Sequence, residues 1–156
     1  MPHQHSSLHP EVASFLKQHP DTLAVDLLLA DLSGVIRGKR YPVEDLATVW
    51  RSGVSFPASV FLLDTCGRSH DPGGKGFSDG DPDAIARPIP GTLKPVPWAK
   101  RPLGQLLLTF EDGKGNPLSF EPRNVLARCL RKIEELGLRA VVAFELARAM
   151  IEKFGG

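Results

Sequence analysis

An alternating apolar segment near the N-terminus, residues 23–41, constrains the fold of this chain more than any other feature. Val25, Leu27 and Leu29 share one parity, which is the period of a β-strand with one buried face. Gly34 follows, and glycine tolerates the positive φ that a tight reversal needs. The segment therefore predicts a β-hairpin. Because an isolated hairpin is only marginally stable, other elements must pack on it.

The second arm of this hairpin ends in a basic cluster. Arg37, Lys39 and Arg40 follow one another closely, and they are the candidate interaction residues at the hairpin end. Single-stranded nucleic-acid sites usually combine such cations with stacking aromatic side chains, and here only Tyr41 is adjacent. The net charge of the chain is +1. Charge therefore favours neither a nucleic acid nor a membrane as partner.

The composition is that of a globular protein. Of the 156 residues, 42% are hydrophobic and 24% are charged. No apolar run approaches the roughly 20 residues that a membrane helix needs, and the first residues lack the apolar core of a signal peptide. The two cysteines, Cys66 and Cys129, do not form a disulfide framework. These features predict free thiols and a cytoplasmic location.

Hydrophobic periodicity predicts an α+β fold. Helices are predicted over residues 10–19, 42–51, 122–136 and 146–154. Strands are predicted over residues 60–63, 105–110 and 139–145, with a short return at 118–120. Residues 82–102 hold six prolines, so this segment is predicted to be an ordered, extended crossing rather than a central strand. Its expected apolar anchors are Ile85, Ile89, Leu93, Val96 and Trp98.

Two loop motifs resemble ligand sites but depart from them at defining positions. Residues 71–76 read DPGGKG, and a phosphate loop would need a hydroxyl residue where Gly76 stands. Residues 79–83 read DGDPD, as at the start of a calcium-binding EF-hand loop. That loop needs glycine at its sixth position and an acid at its twelfth, where Ala84 and Pro90 stand. Both motifs are interpreted as ordinary turns.

Six segments in a fixed order carry a more specific signal. They read VDLLLADLSGVIRGK at 25–39, FPASVFLLD at 56–64, SDGDPD at 78–83, PIPGTL at 88–93 with VPW at 96–98, EPRNVL at 121–126 and AFEL at 143–146. This series resembles the N-terminal part of glutamine synthetases, and the resemblance covers residues 11–146. The likeness is greatest to the branch that includes the γ-glutamyl-polyamine synthetases.

The resemblance implies a domain organisation. A polar segment with a short helix would occupy residues 1–19, and a β-grasp domain, which is a mixed sheet with a packed helix, would occupy residues 20–110. Residues 111–146 would be the first helix and strand of the catalytic domain. Residues 147–156 no longer resemble the family and form a divergent tail.

The resemblance also implies a chemistry. Family members activate the γ-carboxylate of glutamate with ATP and Mg²⁺ or Mn²⁺, and an amine then displaces phosphate. Their active sites form between subunits of a ring, where the β-grasp domain closes the site of its neighbour. The implied substrate loop contains Phe56, Pro57 and Ser59. Because Pro57 stands where ammonia-using members carry an acid, the resemblance implies an amine other than ammonium, or no substrate.

Glu145 is the candidate metal ligand. At the end of an apolar strand it is more often structural, but it matches the first glutamate of the family's metal-binding Glu-x-Glu pair, and Ala147 stands at the second. One carboxylate cannot hold a catalytic pair of hard cations, and the remaining ligands of the catalytic domain are not in this sequence. We therefore expect no cofactor and no activity for the chain alone.

Two hypotheses follow. In the first, the chain is the N-terminal domain or a truncated form of a glutamine-synthetase-like, ATP-dependent glutamate–amine ligase, and it closes a neighbouring subunit's active site. In the alternative, it is a stand-alone interaction module that binds full-length glutamine-synthetase-like rings. The expected partners are accordingly further copies of the chain or full-length subunits.

Overall fold

The computed structural model describes residues 8–143. The chain divides into two compact units, Met1–Val125 and Leu126–Gly156. The first unit contains a six-stranded sheet and its hydrophobic core, and the candidate site lies within it. None of the helices among the described residues combines the length and hydrophobicity that crossing a bilayer requires.

The predicted hairpin is confirmed. Strand β1 (Ala24–Ala30) pairs antiparallel with strand β2 (Ile36–Pro42) along their whole length. The three buried side chains of β1 are those of the predicted parity. Gly34 lies in the connecting turn with a φ of +76°. The alternation and the glycine therefore specified this element as expected.

Four further strands complete a mixed sheet. They are β3 (Val54–Pro57), β4 (Asp83–Pro88), β5 (Lys94–Pro95) and β6 (Leu103–Glu111). The strand order is β2-β1-β6-β4-β3, and β5 also pairs with β6. Strand β6 runs parallel to β1 and antiparallel to β4 and β5. Its residues alternate between buried and half-buried positions, and it confirms the strand predicted over residues 105–110.

The described residues form three α-helices: α1 (Pro10–Gln18), α2 (Leu46–Ser52) and α3 (Pro122–Glu135). A short 3₁₀ segment, Val43–Asp45, leads into α2. Phe15 of α1 is buried in the core next to Gly104 of β6. A Cβ atom at position 104 would lie 3.0 Å from the Phe15 ring, so glycine allows this close approach.

An aromatic cluster lies at the centre of the core. The ring of Phe110 in β6 meets the rings of Phe56 and Phe61 edge to face, with centroids 5.6 Å and 4.7 Å away. Phe120 adds a further edge contact to Phe61 at 6.4 Å. Edge-to-face pairs of this kind contribute beyond the burial of their apolar area. The cluster joins β3 and the segment that follows it to the central strand.

A buried carboxylate organises the start of α3. The side chain of Glu121 accepts the backbone N–H of Asn124 at 2.7 Å, and burial raises the pKa of this glutamate. The amide of Asn124 in turn donates to the carbonyls of Phe110 and Leu118. The first turn of the helix predicted over residues 122–136 is thereby joined to the end of β6.

The strand predicted over residues 60–63 is wrong. This apolar run belongs to a 3₁₀ segment, Ala58–Leu62, and the strand lies just upstream as β3. Consecutive buried residues in this segment include Phe61 and Leu62. A continuous apolar run does not by itself distinguish a buried strand from a helical turn, because both can bury neighbouring side chains.

The prediction for residues 82–102 is wrong in part. Strand β4 lies inside the sheet between β6 and β3. The prolines at 82 and 88 only bound this strand, so the intervening residues keep the N–H groups that the ladder needs. Of the five expected anchors only Leu93 is buried, and Trp98 is 76% exposed. Ala84 and Ala86 fill the core in place of the bulkier neighbour Ile85.

The strand predicted over residues 139–145 is wrong for its described part. Residues 139–143 form no strand, because no described segment offers them a hydrogen-bonding neighbour. The rest of that prediction, and the helix predicted over 146–154, lie outside the described residues. No strand forms at residues 118–120, where a short return was predicted. Instead, Glu111 and Pro117 form an isolated bridge, and the N–H of Leu118 donates to the carbonyl of Phe110.

Candidate functional site

The three residues of the implied substrate loop have different environments. Phe56 lies in β3 with its ring buried in the aromatic cluster. Ser59 is also buried, in the 3₁₀ segment, with only 8% of its surface exposed. Pro57 is exposed at the end of β3. Of the three, only Pro57 therefore presents its side chain to an incoming molecule.

Asp81 holds the loop from a distant part of the chain. Its carboxylate accepts both the hydroxyl of Ser59, at 2.9 Å, and the backbone N–H of the same residue, at 3.2 Å. The N–H of Ala58 also donates to the carbonyl of Pro82, at 3.3 Å. The DGDPD motif, which we interpreted as an ordinary turn, thus contributes the polar partner of the loop. Sequence analysis did not identify Asp81 as a site residue.

Lys39 reaches the same loop from the opposite edge of the sheet. Its Nζ donates to the carbonyl of Ser55 at 3.1 Å and lies 4.3 Å from the centroid of the Phe56 ring. Strand β2, which carries Lys39, and strand β3 are the two ends of the strand order. The sheet must therefore curl strongly, and Lys39 connects its two edges beside the loop.

Replacing Lys39 with methionine should loosen β3 without disturbing the core. Methionine keeps most of the aliphatic stem but loses the donor to Ser55 and the cation–π contact, which contributes about 0.5–1 kcal/mol at an exposed position. We expect faster amide exchange in residues 54–56, measured by NMR, with unchanged exchange in β6. Lys17→Met, at an exposed position of α1, is the matched control. Equal exchange in both variants would contradict a role for Lys39 at the loop.

The other two cations of the basic cluster form ion pairs within the chain. Arg37 Nε lies 2.6 Å from Asp31 Oδ2, and its Nη2 donates to the carbonyl of Asp64 at 3.1 Å. Arg40 pairs with Asp26 through two contacts of 2.7 and 2.9 Å. The cations are therefore spread along β2 on both faces of the sheet, instead of forming a basic hairpin end. Their role in binding a partner stays a prediction.

Asp31 is the buried anchor of the hairpin turn. The residue is 2% exposed, and its carboxylate accepts the backbone N–H groups of Ser33 and Val35 in addition to the guanidinium of Arg37. Burial opposes the charged form, but the hydrogen bonds from these three residues outweigh it and lower the pKa of Asp31. The carboxylate therefore stays ionised and holds the turn closed.

The glycine-rich loop is closed by one of its own side chains. The carboxylate of Asp71 accepts the hydroxyl of Ser78 and the backbone N–H groups of Gly76 and Phe77. The hydroxyl of Ser78 and these N–H groups lower the pKa of Asp71 to about 2. A phosphate loop would offer such N–H groups to its ligand. Here they are occupied, which agrees with the interpretation of residues 71–76 as an ordinary turn.

The described residues do not provide a metal centre. Between residues 8 and 143, no three histidine, cysteine or acidic side chains are grouped so that they could hold an ion. His70 instead contacts Asp64, with its Nε2 3.1 Å from the carboxylate. Glu145, the candidate metal ligand, and Ala147 lie outside the described residues. The metal-binding role of Glu145 therefore stays a prediction.

Comparison with known proteins tests the family resemblance. No protein-family model matches the chain. The γ-glutamylputrescine synthetase PuuA of Escherichia coli is 40% identical over 148 residues, which are 95% of this chain and 31% of that protein. The glutamate–isopropylamine ligase of a Pseudomonas species is 30% identical over 86% of this chain and 29% of its own length. A glutamine synthetase of Pyrococcus abyssi is 30% identical over 84% of this chain and 26% of its own length.

The fold is also shared with a solved structure. The complex of GmaS with ADP superposes with a TM-score of 0.63 at 24% sequence identity, covering 82% of this chain and 26% of the other. This likeness confirms the predicted α+β class with its mixed sheet. The chain spans less than a third of the length of each relative compared here. By its sequence, the chain belongs to the glutamine synthetase family and corresponds to the N-terminal region of its members.

Proposed function

We propose that the chain acts as the amine-side domain of a glutamate–amine ligase and closes the active site of a neighbouring subunit. The loop of Phe56, Pro57 and Ser59, the amine-side loop, would be the part that enters that site. The observation that supports this proposal is that the loop has one exposed residue between two buried ones. Phe56 is buried against Phe110 and Ser59 is buried and hydrogen-bonded to Asp81, whereas Pro57 between them is exposed.

The chemistry of this loop favours an organic amine as substrate. Ammonium is small, cationic and strongly hydrated, so a site for it needs an anionic partner to replace water. Pro57 offers an apolar ring with no charge and no N–H group. An amine with a carbon chain gains from contact with such a ring. Two relatives carry putrescine or isopropylamine in their names, which agrees with this substrate class.

ATP and the divalent cations would be bound elsewhere in the assembled enzyme. The described residues do not supply three metal-ligating side chains in one place, so they do not fit a catalytic Mg²⁺ or Mn²⁺ pair. The chain would contribute positioning and exclusion of water at the amine side, and the partner subunit would contribute the nucleotide and metal site. The cytoplasmic location predicted above also stays a prediction.

Complementation in mixed assemblies tests the proposal. The 156-residue chain is mixed with a full-length γ-glutamylputrescine synthetase whose own copy of the amine-side loop has been inactivated. We expect phosphate release from ATP that depends on glutamate and putrescine, and we expect none from either protein alone. The control chain carries Pro57→Asp, which places a charge in the loop and should lower putrescine turnover several-fold relative to ammonium.

Three results would count against this function. Turnover by the isolated chain would show that it does not depend on a partner's catalytic residues. Stable association of the two proteins by sedimentation, without any restored turnover, would instead support the alternative of an interaction module that binds full-length rings. Absence of association would contradict both.

A further inference from the structure

We infer that Asp81 is the positioning residue of the amine-side loop and that it acts through Ser59. Both hydrogen-bond donors of Ser59, its hydroxyl and its N–H, donate to the Asp81 carboxylate. Ser59 is 8% exposed, so water cannot easily replace either bond. The contacts themselves lie within the chain, so this inference rests on the proposed function only where it places the loop in an active site.

The backbone at Asp81 shows that this contact is strongly specified. Asp81 has a φ of +48°, and it is the one non-glycine residue with positive φ among those the structure describes. Aspartate tolerates this region better than most residues, but the conformation still has to be supported by its surroundings. The support comes from the two bonds to Ser59 and from a side-chain oxygen of Asp79, which accepts the Asp81 N–H at 3.2 Å.

The arrangement has a consequence for the substrate. Because the Ser59 hydroxyl is buried and hydrogen-bonded to the Asp81 side chain, it is held within the chain and is not offered to an incoming amine. The loop then presents the Pro57 ring as its exposed side chain. Asp81 therefore determines specificity indirectly: it keeps the polar groups of the loop turned inward and the apolar surface turned outward.

Three variants separate the carboxylate contact from backbone strain. Asp81→Gly removes both acceptors, and glycine accepts positive φ at no steric cost. Asp81→Asn keeps an acceptor for the Ser59 N–H and tolerates positive φ, and its amide group can donate to the Ser59 hydroxyl. Ser59→Ala removes the hydroxyl alone. If Asp81 served only to allow the positive φ at this position, the glycine and asparagine variants would behave alike.

Amide hydrogen exchange of the purified chain is the first measurement. We expect the Ser59 amide to exchange at least about tenfold faster in Asp81→Gly and within about twofold of the wild type in Asp81→Asn, with β6 amides unchanged. If Asp81→Gly also loses protection in β6, Ser59→Ala decides the question, because it should raise exchange in residues 58–60 alone. Wild-type protection of residues 58–60 in Asp81→Gly or in Ser59→Ala would overturn the inference.

The mixed assembly provides the second measurement. We expect Asp81→Gly to raise the KM for putrescine about tenfold with an unchanged KM for ATP, and Asp81→Asn to restore it. An unchanged KM for putrescine in Asp81→Gly, with full turnover by the wild type, would overturn the inference and leave the proposed function intact. If the wild-type chain restores no turnover, the proposed function fails, and the exchange data alone decide the role of Asp81.

Discussion

Replacement of Phe110 by alanine is expected to lower the free energy of unfolding by about 3–5 kcal/mol. Phe110 is fully buried in the central strand, where its ring contacts Phe56 and Phe61 edge to face. The substitution removes the apolar area, leaves a cavity and breaks both ring contacts. Because a domain of this size is stable by only about 5–15 kcal/mol, the variant should approach the limit of folding.

Urea unfolding followed by circular dichroism measures this effect. Phe77→Ala is the matched control, because Phe77 is 60% exposed in the glycine-rich loop, and it should change the midpoint little. Phe110→Leu should fall between the two, since it keeps most of the buried volume. Equal midpoints for Phe110→Ala and Phe77→Ala would show that the aromatic cluster is not the centre of the core.

Replacement of Asp31 by alanine is expected to cost about 2–4 kcal/mol. The substitution leaves two backbone N–H groups of the turn without their acceptor. It also leaves Arg37, whose side chain is 21% exposed, without its carboxylate partner, while the carbonyl of Asp64 still accepts from it. Asp31→Asn should cost less, because both backbone N–H groups donate to Oδ1 and an amide oxygen can still accept them. Asp26→Ala is the control, since the Asp26–Arg40 pair is more exposed and should contribute little.

The effect of Asp31 should also depend on pH. Hydrogen bonds lower the pKa of Asp31 in the folded chain despite burial, so its carboxylate stabilises the fold fully above the unfolded pKa of about 3.9. The contribution is lost as the pH falls through the lower, folded pKa. The stability difference between the wild type and Asp31→Asn should therefore shrink below about pH 4. A difference that stays constant down to pH 2 would contradict the ionised state.

The parts of the fold that sequence predicted are those set by local periodicity. The alternation of β1, the glycine of its turn and the three-four spacing of α3 each act within a few residues, and each prediction agrees with the structure. Strand β4 was missed because proline content was counted over the whole of residues 82–102. Proline excludes a strand only at the positions where the ladder needs an N–H group.

The candidate site was less predictable because its contacts are long-range. Pro57 could be singled out by resemblance alone, but the partners of the loop are Asp81 from a distant turn and Lys39 from the opposite sheet edge. No periodicity relates these positions. The curl of the sheet that brings β2 to β3 depends on packing, and a linear pattern does not specify it. The DGDPD motif was visible, but only the folded chain shows which carboxylate faces Ser59.

Photo-crosslinking from position 57 tests the central claim most directly. A photoreactive residue replaces Pro57, which is exposed, and the chain is irradiated with full-length γ-glutamylputrescine synthetase. We predict one main product, joined to the part of that enzyme that this chain does not span, and suppressed by saturating glutamate analogue and ATP. A photoreactive residue at Lys17 should give no such product. Crosslinks from position 57 only between copies of the chain, or equal yields from both positions, would contradict the claim that this loop closes a neighbouring active site.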